Sequence, residues 1–278
     1  MSPSGGSLST LLTLADTYSA RYIGASLRPY ALSPVPGPAH HPSSRPTLAS
    51  RLLGIRTVPG LGVLTDSPQG AIDTVIVHRS WGLFDGGRYY GRSFRFSEWM
   101  RARNALTGVL VHFALVTAML ALVLPPVRWV LKRLVVQPGT GPEIGCVRCS
   151  LSPLLPSCLC VSGQWATLSL GIGGAGTDYR VSSGTKNDRL VYRAIAVADH
   201  NELDTPERAS AGLEWTGSGY YLTGLLLAEA AMVILRGEGT TEAQKLGGGI
   251  LTPATLGQQY VDRMRKAGVK IDVGMMSA

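Results

Sequence analysis

Charged residues are scarce in this sequence. Only 16% of its 278 residues are Asp, Glu, Lys or Arg, a low share for a soluble domain. The formal charge is +8, but the basic residues are scattered or flank one apolar segment. Nucleic-acid binding needs clustered basic residues with interleaved aromatic ones in a recognised fold. We therefore expect no nucleic-acid partner, and the positive charge is better suited to an anionic lipid surface.

Cysteine is also scarce, and its arrangement argues against a metal site. All four cysteines fall within fifteen residues, at Cys146, Cys149, Cys158 and Cys160. Structural zinc sites usually separate paired ligands by two to four residues. The second pair here has one intervening residue, and the segment between the pairs is apolar and rich in proline. No metal cofactor is expected.

A long apolar segment is the most informative feature that the sequence does contain. Residues 105–124 carry no formal charge and are interrupted only by Thr107, His112 and Thr117. As a helix they would extend roughly 30 Å, close to the thickness of a bilayer's hydrocarbon core. Two prolines at 125–126 should break this helix, and residues 127–136 then form a short amphipathic stretch with basic residues.

Three arrangements of this segment are open. Both of its flanks are basic, so the distribution of charge does not assign one side to the cytosol. The apolar arm, the prolines and the basic return favour insertion into one leaflet or at a lipid-droplet surface. The alternatives are a membrane span and the core helix of a soluble enzyme.

The expected location follows from this segment and from the N-terminal residues. The first residues lack the basic start and the long apolar run of a signal peptide. We therefore expect a cytosol-facing protein associated with a lipid droplet, the endoplasmic reticulum or the mitochondrial membrane.

Periodicity predicts helices and strands on both sides of the apolar segment. The glutamate inside the helix predicted over 220–235, Glu229, is either a catalytic group with a raised pKa or an ion-pair partner of an arginine. The remaining predicted elements are a helix over 7–22, a strand over 70–79, an aromatic and glycine-rich turn region over 80–91, strands over 189–198 and 208–216 that pair, a helix over 256–267 and a strand over 269–273.

A glycine motif at 171–176 fits the pattern GxGxxG of dinucleotide-binding loops. Such a loop needs a following helix, whose N-terminus binds the pyrophosphate. Residues 177–188 show no apolar helical period. We therefore reject this motif as a cofactor site and expect no cofactor-binding residues in the chain.

Six segments together carry a family resemblance. They are SGGSLSTLL (4–12), YALSP (30–34), GRYYGRSFRFSEWMRARNALTG (87–108), PPVRWVLKRLVVQPGTGP (125–142), YYLTGLLLAEAAMVIL (220–235) and KLGGGILTPATLGQQYVDRMRKAGVKI (245–271). In this order they resemble the C-terminal part of the saccharopine-dehydrogenase-like oxidoreductases of fungi, relatives of the trans-acting enoyl reductases. The resemblance implies an N-terminal Rossmann domain that binds NAD(P), an α/β substrate domain with a hydrophobic segment, and hydride transfer to a lipid-like or polyketide substrate.

The sequence departs from that family in two places. The family's nucleotide-binding motif would lie upstream of residue 4, so the nucleotide-binding domain is expected to be missing. About forty residues, 145–185, interrupt family-like sequence and are expected to be a disordered insert. The predicted organisation is a first part of the substrate domain at 1–104, a membrane segment at 105–136 and a second part at 186–278. The predicted fold class is α/β, an α+β-like mixed sheet with helices and one membrane-associating helix.

The function expected from this resemblance is that of a truncated oxidoreductase, inactive by itself. The alternative is a non-catalytic scaffold or lipid-binding protein at a membrane or lipid-droplet surface. Tyrosine and histidine can donate protons beside a hydride acceptor, which makes six residues candidates for substrate contact, although sheet packing and turn aromatics also explain them. They are His78, Trp81, Arg88, Tyr89, Tyr90 and Tyr192. The resemblance supplies no catalytic residue.

Overall fold

The computed structural model describes residues 5–38, 48–134, 189–198, 207–237 and 241–276. This part of the chain contains both helices and strands, with 3₁₀ turns at Asp85–Gly87 and Pro253–Leu256. The elements are α1 Gly5–Thr17, α2 Ala20–Ser26, α3 Leu48–Leu53, β1 Ile55–Val58, β2 Gly62–Asp66, α4 Gly70–Leu83, β3 Trp99–Arg101, α5 Ala105–Val123, α6 Pro125–Leu134, β4 Arg189–Val197, β5 Arg208–Thr216, α7 Gly219–Arg236, α8 Glu242–Lys245, α9 Gly257–Lys266 and β6 Lys270–Met276.

The first sheet has the strand order β1-β2-β3, and both of its strand pairs are antiparallel. The N-terminal half of α5 packs across this sheet. Thr65 on β2 is fully buried, and its hydroxyl donates a hydrogen bond of 2.8 Å to the carbonyl of Gly108 on α5. Gly108 is itself buried, so backbone of the apolar helix lies directly on the sheet.

The second sheet has the order β4-β5-β6 and is also antiparallel. The predicted pairing of residues 189–198 with 208–216 is confirmed, as are the predicted final helix and strand. One face of the sheet packs on α7 and α9. The buried residues of this core are Leu222, Val233, Leu256, Tyr260, Met264 and Val269.

Glu229 on α7 forms an ion pair rather than standing alone. The Arg263 Nε donates to Glu229 Oε2 at 2.6 Å, which links α7 to α9 beside the core. Of the two roles predicted for this glutamate, the structure shows the pairing with arginine.

Helix α4 corrects the prediction of a strand over 70–79. Its β-branched residues favour a strand locally, but its buried side chains, Val75, His78 and Trp81, recur at helical spacing of three residues. Tertiary packing on this inward face therefore overrides the local preference. The predicted turn region begins only after α4, at Phe84.

Contacts between α4 and the segment before α9 join the two halves of the chain. The Arg79 Nε donates to the carbonyl of Ile250 at 2.9 Å. The Ser80 hydroxyl donates to the Thr252 hydroxyl at 2.8 Å, and both residues are buried. Helix α4 thus lies where the two halves meet.

The predicted helix over 7–22 is divided in two. Helix α1 ends at Thr17, and the Ser19 side chain caps α2 by accepting a hydrogen bond from the Tyr22 amide. The predicted apolar helix is confirmed as α5, and the double proline separates it from α6. Prolines are tolerated there because the first residues of a helix need no intrahelical N–H donor.

The chain is therefore a mixture of α and β structure, as predicted, but its described strands form two separate antiparallel sheets rather than one mixed sheet. Antiparallel strands can be joined by short hairpins and need no crossover helix. The insert at 145–185, the four cysteines and the GxGxxG motif lie outside the described residues, so those predictions stay predictions. The domain boundaries likewise stay predictions.

Replacing Gly54 by alanine is expected to lower the free energy of unfolding by about 2 kcal/mol. Gly54 has a φ of 60°, and a Cβ there would overlap the His112 ring on α5. Chemical unfolding of the variant and the wild type measures the loss. Gly24→Ala in α2 is the matched control, because its Cβ meets nothing within 4 Å and alanine favours a helix. Equal stability of the two variants would contradict the expected contact between Gly54 and His112.

Candidate functional site

A buried histidine lies at the centre of an aromatic cluster on α4. The His78 side chain is only 2% exposed, and its ring stacks on Tyr30 with centroids 3.8 Å apart. The Phe96 amide donates to His78 Nε2 at 3.3 Å. The buried Nδ1 atom has no hydrogen-bond partner among the residues that the structure describes. Burial lowers the pKa of His78 to about 4, so the ring is neutral at pH 7.

Two neighbouring rings close this cluster through backbone hydrogen bonds. The Trp81 side chain is 3% exposed, and its indole N–H donates to the Gly91 carbonyl at 2.9 Å. The Tyr30 hydroxyl donates to the carbonyl of Phe94. The polar atoms of these two rings are thus engaged with the backbone. These contacts place His78 and Trp81 in packing positions, and their expected contact with substrate stays a prediction.

Three further predicted residues lie on the surface after α4. Tyr89 is 70% exposed, and Tyr90 packs edge-on against it with ring centroids 4.8 Å apart. Arg88 forms an exposed ion pair with Asp85 at 3.5 Å. Burial raises the pKa of Tyr90, and the neighbouring Tyr89 raises it further. Tyr89 and Tyr90 both contact the Phe84 ring. Phe94 contacts both Tyr90 and His78, with ring centroids 5.5 and 6.2 Å apart respectively.

The sixth predicted residue, Tyr192, belongs to a different cluster. Two carboxyl groups lie near it, Asp73 in the first turn of α4 and Glu98 just before β3. The Ser67 hydroxyl donates to Glu98 Oε1 at 2.9 Å. Burial raises the pKa of Glu98, and so does its hydrogen bond with Asp73. The two carboxyl groups therefore lie close together, and their contact favours the neutral form of Glu98.

The phenol of Tyr192 stays protonated at neutral pH. Burial raises its pKa first, and the negative charges of Glu98 and Asp73 raise it further. Tyr192 projects from β4, whereas the carboxyl groups belong to the first half of the chain. The cluster therefore forms only when the two halves are assembled.

Tyr192 also lines an open cleft of about 480 Å³. The turn between β1 and β2 contributes Gly60 and Leu61, and the second sheet supplies the other lining residues. Gly212 and Gly274 line it without side chains, and a Cβ at either would meet nothing within 4 Å. A volume of this size suits a small organic ligand.

The structure therefore distributes the six predicted residues over three places. Sequence reasoning missed Tyr30, Asp73, Ser67 and Glu98. Tyr30 lies within one of the six resemblance segments, which is a weak signal. No sequence signal indicated the carboxyl pair, because Asp73 and Glu98 are 25 positions apart, one on a helix and the other in a loop.

The described residues contain no group of three or more His, Cys, Asp or Glu side chains placed to hold a metal ion. The cleft has acidic and basic lining residues, Glu214, Asp272 and Arg193. Its contacts identify no residue that would hold a nicotinamide cofactor.

The described fold and clusters define an α and β protein with two antiparallel sheets, a tyrosine–carboxyl cluster beside a cleft and an exposed apolar helix. Across its sequence the chain is similar to proteins from two strains of Mycobacterium tuberculosis whose names carry the words trans-acting enoyl reductase. Each is 28% identical to it over 295 residues, covering 99% of this chain. The chain spans 57% of the length of these relatives.

No protein-family model matches the sequence, and no solved structure matches it. The predicted resemblance is therefore confirmed at the level of a distant similarity to enoyl-reductase-type oxidoreductases. The narrower placement among the fungal saccharopine-dehydrogenase-like proteins stays a prediction.

Proposed function

We propose that the protein is an NAD(P)-dependent oxidoreductase that reduces the double bond of a lipid-like or polyketide enoyl substrate. The observation that carries this proposal is the similarity to the two mycobacterial proteins over 99% of the chain. The substrate class rests on the family resemblance of the six segments. The same proposal includes the saccharopine-dehydrogenase-like assignment. It also includes the expectation that these 278 residues alone do not catalyse the reduction.

The Tyr192 cluster supplies the acid that such a reduction needs. Hydride transfer brings two electrons and one hydrogen to the β-carbon, and the α-carbon must then take a proton. When bound, the nicotinamide cofactor supplies the hydride. A neutral phenol on the cleft wall can donate the proton, and Glu98, whose pKa is raised by burial and by Asp73, is placed to return a proton to it.

Replacing Tyr192 by phenylalanine is expected to slow reduction by about 10²-fold or more, because the phenol proton is lost while the ring remains. The protein is purified with an affinity tag from the cells that naturally make it, so that the assay uses the gene product as it occurs there and not an isolated chain of these 278 residues. Reduction of a trans-2-enoyl thioester is followed by loss of NADPH absorbance. Tyr22→Phe is the matched control, since Tyr22 is also a half-exposed tyrosine but lies on α2 away from the cleft.

Two results would contradict this assignment. An unchanged rate in Tyr192→Phe would remove Tyr192 as the acid while leaving the reductase proposal in place. Absence of NADPH and NADH oxidation with enoyl thioesters of short and long chain would contradict the reductase function itself.

A second function, favoured by the exposed apolar side chains of α5, is that of a non-catalytic scaffold or lipid-binding protein at a membrane or lipid-droplet surface. The reductase also has a use for such a surface, because its proposed substrate is lipid-like. Sedimentation with vesicles is expected for both functions. They differ in cofactor oxidation, because the scaffold would oxidise no nicotinamide cofactor.

A further inference from the structure

Helix α5 is exposed over most of its length. It is the one described helix long and apolar enough to cross a membrane, yet only 6% of its most apolar 18-residue window is buried. After His112 nearly every side chain of the helix is open to solvent. The large exposed residues are Phe113, Val116, Met119, Leu120, Val123 and Leu124. An apolar patch of this kind calls for an apolar environment.

The N-terminal end of α5 is fixed to the first sheet. His112 Nδ1 lies 2.7 Å from Asp66 Oδ2 at the end of β2, and the Thr65 hydroxyl holds the Gly108 carbonyl one turn earlier. These polar contacts hold one face of residues 105–112 against the sheet, while Leu106 and Leu110 on the other face are exposed. Residues 113–124 continue beyond the sheet and are mostly exposed, although α1 also contacts the helix. Twelve residues at a helical rise extend about 18 Å. That length is well below the ~30 Å of a hydrocarbon core.

The C-terminal end of α5 is fixed to α1. The Arg128 guanidinium donates to Asp16 at 2.7 Å and also to the carbonyls of Leu122 and Val123 at the end of α5. Lys132 pairs with the same aspartate, and these two cations lower the pKa of Asp16, the Lys132 hydrogen bond being the largest cause. A charged cluster thus marks the end of the apolar helix.

The His112–Asp66 and Arg128–Asp16 contacts connect both parts of α5 to the same side of the molecule. Residues 17–30 join Asp16 to Tyr30, which stacks on His78 of α4. If α5 crossed a bilayer, Asp16 and Arg128 would lie on the far side, and residues 17–30 would have to cross back. In the structure that segment consists of the seven-residue helix α2, Ala20–Ser26, and turns after it, and it contains Arg21 and Arg28. A short helix and turns with two arginines do not cross a hydrocarbon core, so this connection favours a position of α5 along one side of the bilayer.

Helix α6 has the features of an interfacial helix. It carries Arg128 and Lys132, which share the single carboxylate of Asp16, and also Arg133, and no acidic residue occurs between positions 105 and 134. Trp129 is 56% exposed, and the Arg133 guanidinium lies 4.4 Å from the centre of its ring. Tryptophan and basic side chains favour the headgroup region of an anionic membrane.

We propose that residues 113–124 lie in the plane of one leaflet of an anionic phospholipid bilayer, with α6 at the level of the headgroups. The His112–Asp66 pair marks where the helix leaves the protein surface, and the Arg128–Asp16 pair marks where it returns. This inference concerns the lipid surface alone and does not rest on the reductase chemistry.

The depth of two positions tests this geometry. In the full chain with its four cysteines replaced by serine, Val116→Cys and Leu124→Cys are each labelled with an environment-sensitive fluorophore. The protein is added to vesicles of phosphatidylcholine and phosphatidylserine that carry quenchers at known depths. We expect both labels to lie at equal depth, about 5–10 Å into the headgroup and acyl boundary. Labels at clearly different depths, or a cysteine at 124 modified only from inside the vesicle, would overturn the proposal.

Replacing Leu120 by aspartate is expected to weaken partitioning to the same vesicles about tenfold or more, because a carboxylate is costly in the leaflet. Leu227→Asp on α7 is the matched control, since Leu227 is 72% exposed but belongs to the second half of the chain. Both variants change exposed side chains, and circular dichroism verifies their folding. Failure of the wild type to sediment with anionic vesicles, or equal loss in the two variants, would refute the proposed surface.

Discussion

Replacing Trp81 by alanine is expected to lower the free energy of unfolding by about 3–5 kcal/mol. The side chain is 3% exposed, and it packs edge-on against Tyr30 with centroids 5.2 Å apart. A Cβ at Gly87 would overlap the indole, so the turn after α4 is fitted to this ring. Alanine leaves a cavity that the cluster cannot fill, and it leaves the Gly91 carbonyl without its indole donor. Urea unfolding at pH 7 measures the loss.

Two controls separate packing from other effects of this substitution. Trp81→Phe keeps most of the ring and removes the hydrogen bond, so its cost is expected to be smaller than that of alanine. Trp129→Ala removes an indole that is 56% exposed and is expected to change stability by about 0.5 kcal/mol at most. A loss at Trp81 no larger than the loss at Trp129 would contradict the buried position of Trp81.

The stability of the protein is expected to fall by up to about 3 kcal/mol through His78 alone as the pH is lowered from 7 to 4. In the unfolded chain a histidine takes up a proton near pH 6.5. In the folded protein, burial holds the pKa of His78 at about 4. The folded-state pKa is therefore lower than the unfolded one, and protons bind preferentially to the unfolded state. The contribution is complete above pH 6.5 and is lost as the pH falls towards 4.

The variant His78→Phe isolates this contribution because it keeps a planar ring but cannot be protonated. At pH 7 it is expected to lose about 1 kcal/mol, since the Phe96 amide loses its acceptor. Carboxyl groups destabilise both proteins in acid and largely cancel in the comparison. Urea unfolding at several pH values should show the difference between the two proteins shift in favour of the variant as the pH falls. Parallel stability curves would show that His78 is not a buried neutral histidine.

The strands of the second sheet illustrate what local pattern can predict. Residues 189–198 and 208–216 have the composition of strands and are separated by a short loop, and they pair as predicted. Helix α5 was predicted almost to the residue, because an unbroken apolar run followed by two prolines leaves little choice. Helix α4 was not, because Ile72, Val75, Ile76 and Val77 favour a strand unless their partners in the tertiary structure are known.

The candidate site was predictable only in part, for a related reason. Tyrosine and histidine could be chosen by residue type, which is how Tyr192 and His78 were found. The residues that surround them could not be predicted from residue type. Glu98 and Asp73 have no distinctive spacing, and their contact depends on how α4 lies against the loop before β3. The exposure of a tyrosine and the burial of a histidine are properties of packing.

The sequence by itself determined the apolar segment, its proline boundary, the basic stretch after it and the distant similarity to enoyl reductases, since all of these depend on residues that are close in sequence or matched in order. The tertiary structure decided which of these residues meet. It tied both ends of α5 to polar groups of the same body through Asp66 and Asp16, and it brought Tyr192 to a carboxyl pair from the other half of the chain. Contacts between distant residues depend on the packing of the whole chain, which no local pattern specifies.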